Sequence, residues 1–314
     1  MKLYKLTSIF LLVLGVSFAN ASTDDQEPYL TKSFTLNGRG DLLVKTSGGS
    51  IEVTGQSSNQ VEVNMYVKKN GSWGGWFGSK DDEDLSEYLE DYEIEIDQQG
   101  NQIIATAKRK GSGWGNNNLS ISFKVKVPRD ISTDLSTSGG SISLADLEGS
   151  HEVSTSGGSL NFDHVTGTTE ARTSGGSINV DDYQGTLDAK TSGGSIRVYD
   201  SEGNLAVNTS GGSIVLDDVR GSVEAYTSGG SIRADIRSLE DQLTLKTSGG
   251  SINAVIPSGL GLNLDLAGNR VNTELQNFTG RSEKNSIQGS INGGGIDVTM
   301  RTSGGSVNLD YRSL

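Results

Sequence analysis

The stretch Thr173 to Lys190, TSGGSINVDDYQGTLDAK, decides the fold because the chain repeats it. Its first five residues, TSGGS, occur nine times, beginning at Thr46, Thr137, Thr155, Thr173, Thr191, Thr209, Thr227, Thr247 and Thr302. From Thr137 to Thr227 the pentapeptide returns every 18 residues. A fixed period of this length is the signature of a repeat architecture. With 43 glycines and 33% hydrophobic residues, the 314-residue chain also favours a narrow core over a thick layered one.

Each repeat, here called a coil, contains two apolar pairs with the spacing of β-strands. With the Thr as position 1, position 6 holds Ile142, Leu160, Ile178, Ile196, Ile214 and Ile232. Position 8 holds Leu144, Phe162, Val180, Val198, Leu216 and Ala234. A second pair precedes each TSGGS, as in Leu187 and Ala189. Alternation with period two predicts two short strands per coil, each with one buried face.

Neither strand can bury its apolar face alone, so we expect equivalent strands of successive coils to pair in parallel about 4.8 Å apart. The fold class predicted is all-β, a single-chain parallel β-helix (β-solenoid). We expect it to be right-handed, because parallel crossover connections nearly always are. Continuing the alternation turns Thr191 inward, and Gly193-Gly194 then forms a corner. We expect glycine there because it tolerates positive φ.

The chain divides into three parts. Residues 1–21 have a basic start, a short apolar run and an Ala-Asn-Ala end, a pattern typical of a secretory signal peptide. Residues 22–130 contain alternating segments such as VEVNMYV and LSISFKVKV, which indicate an N-terminal β region that caps the solenoid and is continuous with it. Residues 131–314 are the β-helix, with a looser C-terminal part in which 289–300 resembles a degenerate coil and 306–310 forms an exposed last strand.

The combination of VPRDISTDLSTSGGSISL, the repeated TSGGSI with a later glycine in each coil, and INGGGIDVTMRTSGGSVNL resembles the bacterial putative-adhesin family built on a domain of unknown function. The likeness covers most of the mature chain. It implies a single-chain β-helix at the cell envelope.

The bulk composition limits partners and compartment. A formal net charge of −13 disfavours binding to nucleic acid or to anionic lipid. No segment after the leader approaches the roughly 20 apolar residues of a membrane helix. The absence of cysteine excludes disulfides and thiolate metal sites. We therefore expect an exported protein of the periplasm, cell surface or medium.

Two columns of aspartate are the first candidate site. Position 9 holds Asp163, Asp181, Asp217 and Asp235, and position 10 holds Asp146, Asp182, Asp200 and Asp218. The simpler interpretation is that each carboxylate accepts hydrogen bonds in its own turn and that solvent screens the rest. The alternative is a row of weak Ca²⁺ sites at Asp163, Asp181, Asp182, Asp217 and Asp218, because Ca²⁺ prefers several oxygen ligands. No other cofactor is expected.

Two glycine-rich segments contain all three tryptophans and form the second candidate site. Trp73, Trp76 and Phe77 lie in GSWGGWFG, and Trp114 lies in GSGWGNNN. If the flanking strands form a meander, both segments lie at one end of the region. The rings then either stack on a sugar or a protein partner, or pack together to cap the rod.

Catalysis has little support in the sequence. His151 and His164 are the two histidines, and no nucleophile stands at a recognisable spacing from either. We therefore expect a non-enzymatic, exported interaction scaffold, with adhesion to a surface glycan as the leading function. The alternative is a structural or assembly protein of the envelope that binds another protein. Besides the two candidate sites, the outward residues before each Thr vary from coil to coil, from Ser136 to Tyr226, and are a further place to look for function.

Overall fold

The structure is a computed structural model and describes residues 27–69, 85–111 and 119–312. Within these ranges it is almost entirely strand, with one short helix, α1, at Ser86–Leu89. The N-terminal strands are Leu30–Thr35 (β1), Gly40–Thr46 (β2), Ile51–Gln56 (β3), Gln60–Lys69 (β4), Tyr92–Gln99 (β5), Gln102–Arg109 (β6) and Leu119–Pro128 (β7). The strands of the regular coils are Ile131–Thr137 (β8), Ile142–Thr155 (β9), Leu160–Thr173 (β10), Ile178–Thr191 (β11), Ile196–Tyr199 (β12), Glu202–Thr209 (β13), Ile214–Thr227 (β14) and Ile232–Thr247 (β15). The C-terminal strands are Ile252–Pro257 (β16), Leu262–Ala267 (β17), Arg270–Thr273 (β18), Phe278–Ser282 (β19), Ser286–Ile291 (β20), Ile296–Thr302 (β21) and Ser306–Arg312 (β22).

The regular coils stack in parallel with a register of one repeat. β10 pairs with β11 so that Leu160 faces Ile178 and Thr173 faces Thr191. The same offset relates β9 to β10 and β13 to β14. This register places equivalent residues in columns and confirms the all-β, solenoid-like stack. The direction in which the chain winds stays a prediction.

The two strands expected in each coil are joined in most coils. β9, β10, β11 and β14 each run 14 residues, from the residue after TSGGS to the Thr of the next copy. They bend at position 10, where the residue has positive φ, from 49° at Asp182 to 57° at Asp146. The glycine three residues later also has positive φ, for example 130° at Gly185. The pairing with neighbouring coils skips the bend residue and resumes at position 11 in the same register, so the stack continues through this second corner.

The prediction that TSGGS needs glycine for a positive φ is wrong. Neither glycine of any TSGGS copy has positive φ. The second glycine is required by close approach: a Cβ there would lie 1.9–2.3 Å from a backbone oxygen of the adjacent layer, which in the regular coils belongs to the equivalent glycine. Successive coils touch through their backbones at this corner, so any side chain would push them apart.

The Thr of the motif is buried and hydrogen-bonded on both sides. Thr209 donates from Oγ1 to the Gly194 carbonyl of the preceding coil at 2.7 Å, and it accepts from the Gly212 amide of its own corner at 3.3 Å. The motif's last Ser forms a second ladder, in which the Ser213 amide donates to Ser195 Oγ at 3.2 Å. The inward direction predicted for the Thr is confirmed, because these side chains are 4–9% exposed.

The core has one more column than the sequence patterns indicated. Position 11 points inward and holds Leu147, Val165, Tyr183, Ser201 and Val219, each at most 2% exposed. In the next, longer coil a register shift brings Ile236, at position 10, beside Val219. This column follows the bend at position 10, which reverses the alternation of sides. A single hydrophobic cluster extends from Leu36 to Leu309.

The N-terminal end is closed by strands that stack out of chain order. β2 pairs in parallel with β6 on one side and with β8 on the other. β3 lies in the same way between β7 and β9. The first TSGGS coil is therefore internal to the stack, and β6 with β7 forms the layer outside it. Antiparallel strands extend this layer, since β5 pairs with β6, β4 with β7 and β1 with β4.

The C-terminal end has the same arrangement, which differs from the expected one. The last strands, β21 and β22, pair with β15 and β16 on one side and with β17 and β18 on the other. The strand at 306–310 is therefore internal and not exposed at the end of the rod. The segment 289–300 is not one coil: its first residues end β20, which runs antiparallel to β17 and β19, and its last ones begin β21, which joins the parallel stack. Both ends are thus covered by antiparallel strands, which restricts the unpaired edges.

Candidate functional site

The most extended candidate surface is a groove beside the TSGGS corners of four consecutive coils. Its floor is the column that precedes each Thr, where Lys190, Asn208, Tyr226 and Lys246 are cross-strand neighbours in that order. The outward serines Ser210, Ser228 and Ser248 line its edge, and its volume is about 490 Å³. We call this surface the side groove. At about 4.8 Å per coil, its four column residues span roughly 14 Å.

The side groove offers amines, an amide, hydroxyls and one aromatic ring. Lys190 Nζ pairs with Asp188 at 2.7 Å. Lys246 Nζ lies 5.5 Å from the centre of the Tyr226 ring, within the range of a cation–π contact. Burial, and to a lesser degree the charge of Glu224, raises the pKa of Tyr226, so its hydroxyl keeps its proton at neutral pH. The groove thus contains two lysine ammonium groups, although the chain as a whole has a net charge of −13.

The aspartates of position 10 have a conformational role that the sequence patterns did not show. Asp146, Asp182, Asp200 and Asp218 all have positive φ, and so does His164 in the same column. Aspartate tolerates this left-handed region better than most residues with a side chain. The column is therefore accounted for by the bend of the strand, whether or not it also binds an ion.

The position 9 and 10 side chains are also partly neutralised by cations of the protein. His164 lies between two of them, with Nδ1 2.7 Å from Asp163 and Nε2 3.2 Å from Asp182. The hydrogen bond and charge of Asp163 raise the pKa of His164. Asp218 contacts Arg220 and Arg237, each at 3.0 Å.

The calcium hypothesis gains no geometric support from this arrangement. The part of the chain that the structure describes contains no group of three or more His, Cys, Asp or Glu side chains placed to hold a metal ion. Asp181 and Asp217 are exposed neighbours of these pairs. The weak Ca²⁺ sites at Asp163, Asp181, Asp182, Asp217 and Asp218 stay a prediction.

The aromatic candidates Trp73, Trp76, Phe77 and Trp114 lie outside the described residues. The residues next to those segments do lie together, because Lys69 and Leu119 are cross-strand partners at the ends of β4 and β7. The Tyr92 hydroxyl accepts a hydrogen bond from the Leu119 amide at 3.0 Å and donates one to the Leu119 carbonyl at 3.2 Å. The four flanking strands pair two by two, β4 with β7 and β5 with β6, and do not form the expected meander.

The two histidines lie in different environments. His151 points into the core with 2% of its surface exposed, and its Nδ1 is 3.1 Å from Thr133 Oγ1. Burial, with a smaller effect of the Arg39 charge, lowers the pKa of His151 to about 4. His164 is on the surface. The fold therefore does not bring the two imidazoles into one site.

Fold and surface together define the class: a β-solenoid whose corners are constant and whose outward columns differ from coil to coil. The chain belongs to the Toastrack DUF4097 family, whose model matches residues 20–310. This confirms the resemblance to a family built on a domain of unknown function.

Comparison with individual proteins adds less. Among solved structures the chain is similar to a putative cell adhesion protein from Clostridium sporogenes, with 12% identity over 91% of this chain and 100% of that one. The TM-score of 0.22 is too low for that likeness to support an argument. No curated protein matches the chain. No helix in the described ranges has the length and hydropathy needed to cross a membrane.

Proposed function

We propose that the protein is an exported, non-enzymatic interaction scaffold that adheres to a surface glycan through the side groove. The observation that carries this proposal is the contrast between the corner and the column beside it. The corner Thr is the same in every copy and faces inward, whereas the column beside it changes from Lys190 to Asn208, Tyr226 and Lys246 and faces the groove. Core packing does not determine the residue type in this outward column, so its side chains can serve to bind a ligand.

The chemistry of the groove suits a carbohydrate chain. Lysine ammonium groups donate hydrogen bonds to sugar hydroxyls, and amide and hydroxyl groups both donate and accept them. The Tyr226 ring can pack on the C–H face of a sugar. The groove is elongated and open, so a ligand would lie along the rod and touch several coils at once. Several weak contacts on one rigid surface then add through geometry.

Export is proposed from residues 1–21, whose pattern is that of a signal peptide. The tryptophans at 73, 76 and 114 are proposed as a second stacking surface. The described residues that border these segments, Lys69 and Leu119, are cross-strand partners in the layer outside the first coil.

The second candidate function is a structural or assembly role through an envelope protein. The alternating charges beside the groove, such as Asp188 with Lys190, favour it because paired charges are common at the rim of protein interfaces. A pull-down from the envelope fraction of the producing cell, run beside a glycan array, separates the two functions. Glycan binding without a stable protein partner supports adhesion, and a stoichiometric protein partner without glycan binding supports assembly.

The array is repeated with two variants. One carries Lys190→Ser, Tyr226→Ser and Lys246→Ser, and serine is tolerated in this column because Ser136 and Ser154 already occupy it. The other replaces Trp73, Trp76 and Trp114 by serine. Loss of array signal in the first variant assigns the glycan to the side groove. Loss in the second variant alone contradicts that assignment.

A further inference from the structure

A second cavity lies at the C-terminal end of the stack, where four separate parts of the chain meet. The end of β16, the turn at 258–261, the segment 274–277, the end of β20 and β22 together enclose about 230 Å³. We call this cavity the end pocket. It shares no lining residue with the side groove. It is smaller than the roughly 300–1,000 Å³ typical of drug-sized ligand sites, which limits a ligand to about one ring.

The floor and walls of the end pocket are apolar. Leu262 and Ile291 are buried, at 1% and 5% exposure, and Leu260 and Tyr311 pack against the core at its side. The Tyr311 hydroxyl is fixed by the Thr273 hydroxyl, which donates to it at 3.3 Å. Tyr311 therefore presents a held ring to the cavity and keeps its own O–H proton for a ligand.

The rim of the end pocket is polar and held in place. Asn277 donates from Nδ2 to Asn292 Oδ1 at 3.0 Å, and Asn292 donates from Nδ2 to the Leu260 carbonyl at 2.9 Å. Both asparagines have positive φ, 47° and 51°, so two turns are aligned by this contact. Strained backbone of this kind is often found at binding sites.

Two further rim groups are available to a ligand. The Glu274 carboxylate and the Gln276 amide have no hydrogen-bond or ion-pair partner among the described residues, and both are exposed. They add acceptors and donors above the apolar floor. An apolar pocket with a few convergent polar groups is the usual form of a small-molecule site.

We propose that the end pocket binds one neutral sugar ring. The C–H face of a pyranose fits the partly exposed Leu260 and Tyr311 side chains above the buried Leu262, and its hydroxyls reach the carboxylate and amides of the rim. Glu274 accepts hydrogen bonds from two adjacent hydroxyls in this arrangement. The same carboxylate repels an anionic sugar, so neutral and N-acetylated sugars are preferred over uronic acids. Glu274 is the one charged group of the lining and also attracts a cation, so a lysine side chain is the competing ligand in the test below.

This proposal shares with the proposed function only the idea that the ligand is a carbohydrate. Its test uses the full chain in solution. Methyl glucoside, N-acetylglucosamine, glucuronate and N-acetyl-lysine amide are each titrated and followed by NMR chemical shifts. A neutral sugar is expected to bind with a Kd of about 1 mM, and glucuronate at least about tenfold more weakly. Tyr311→Ala should weaken neutral-sugar binding by about tenfold or more.

A second variant keeps the test valid if Tyr311→Ala fails to fold. Glu274→Gln alters an exposed side chain, and it should weaken neutral-sugar binding while narrowing the gap to glucuronate. The Ser variant of the side groove serves as the control and should leave the end-pocket titration unchanged.

Three outcomes would overturn the proposal: no shift with any sugar at about 10 mM, sugar binding that both pocket variants leave intact, or preferential binding of the lysine amide that Glu274→Gln removes. The last outcome would identify a cationic peptide site. If no sugar binds the end pocket but the glycan array is positive, the side groove stays as the proposed binding site. If the array is negative but a neutral sugar binds the end pocket, the end pocket is the binding site that stays.

Discussion

Replacing Gly194, the second glycine of a central TSGGS corner, by alanine tests why the motif repeats. A Cβ at Gly194 would lie 2.0 Å from the Gly176 carbonyl oxygen and 2.6 Å from the Ser177 amide nitrogen. Both atoms belong to the backbone of the preceding coil, so no rotation of a side chain relieves the overlap. Ordinary contact begins at 3.4 Å, so the two coils would have to separate by about 1.4 Å at this corner.

Separation of that size would break the hydrogen bonds that join the two corners. Thr191 Oγ1 donates to the Gly176 carbonyl at 2.7 Å, and the Gly193 amide donates to the Ser174 carbonyl at 2.9 Å. Two further bonds link Ser195 to the same coil, one from its amide to Ser177 Oγ and one from the Ile178 amide to its carbonyl. At about 0.5–1.5 kcal/mol each, losing the four lowers the free energy of unfolding by about 2–6 kcal/mol.

The neighbouring Gly193 provides the matched control. Its Cβ would lie 3.4 Å from the Gly175 carbonyl oxygen, which is an acceptable contact. Alanine there also restricts the unfolded chain, so Gly193→Ala should stay within about 1 kcal/mol of the wild type. Urea unfolding followed by far-ultraviolet circular dichroism measures both variants. Equal shifts of the two midpoints, or an unchanged midpoint for Gly194→Ala, would refute close approach as the reason for the glycine pair.

Three further substitutions test the core and the second corner. Below pH 6.5 the unfolded chain protonates His151 while the fold keeps it neutral, so wild-type stability should fall by up to about 3 kcal/mol between pH 6.5 and about 4. Urea titrations of His151→Leu over the same pH range should lack this fall in stability. A pH profile equal to that of the wild type would contradict the assignment to His151. Thr209→Val removes the hydroxyl between Gly194 and Gly212, and differential scanning calorimetry should show a loss of about 1–3 kcal/mol, whereas no change would mean the hydroxyl ladder is not stabilising. Asp200 has φ of 45°, so Asp200→Asn should be nearly neutral and Asp200→Val should cost about 1–3 kcal/mol by chemical denaturation; equal costs would remove the conformational explanation of the aspartate column.

The regular coils could be predicted from the sequence because their pattern is local. The inward positions of Leu187, Ala189 and Thr191 follow from period-two alternation, and all three are buried. Tyr183 was missed because alternation counted from Ile178 gives it the wrong side. The bend at Asp182 reverses which side alternate residues face. The sequence feature that marks this bend is an Asp or His three residues before a glycine in each 18-residue coil.

The order of strands at the ends could not be predicted, because it depends on pairing between distant segments. Val307 lies beside Ile252 on one side and Val271 on the other, a choice among several similar TSGGS coils that local pattern does not settle. The end pocket depends on that order, since Leu260 and Tyr311 meet only when β22 is inserted. The side groove was easier to anticipate, because its residues are the variable members of a column already visible in the repeat.

The most direct test of the proposed function measures equilibrium affinity for the glycan that the array identifies. Isothermal titration compares the wild type, the side-groove variant with serine at 190, 226 and 246, and a charge-matched variant with Arg197→Asn and Arg233→Asn. Arg197 and Arg233 belong to the outward column on the strand after the corner, where Asn161 and Asn179 are the native residues of earlier coils. Each of the two variants removes two positive charges. Binding through the side groove predicts at least about a tenfold loss of affinity in the first variant and less than about twofold in the second. Equal loss in both would reduce the effect to net charge, and no loss in the first would contradict the assignment of recognition to the groove.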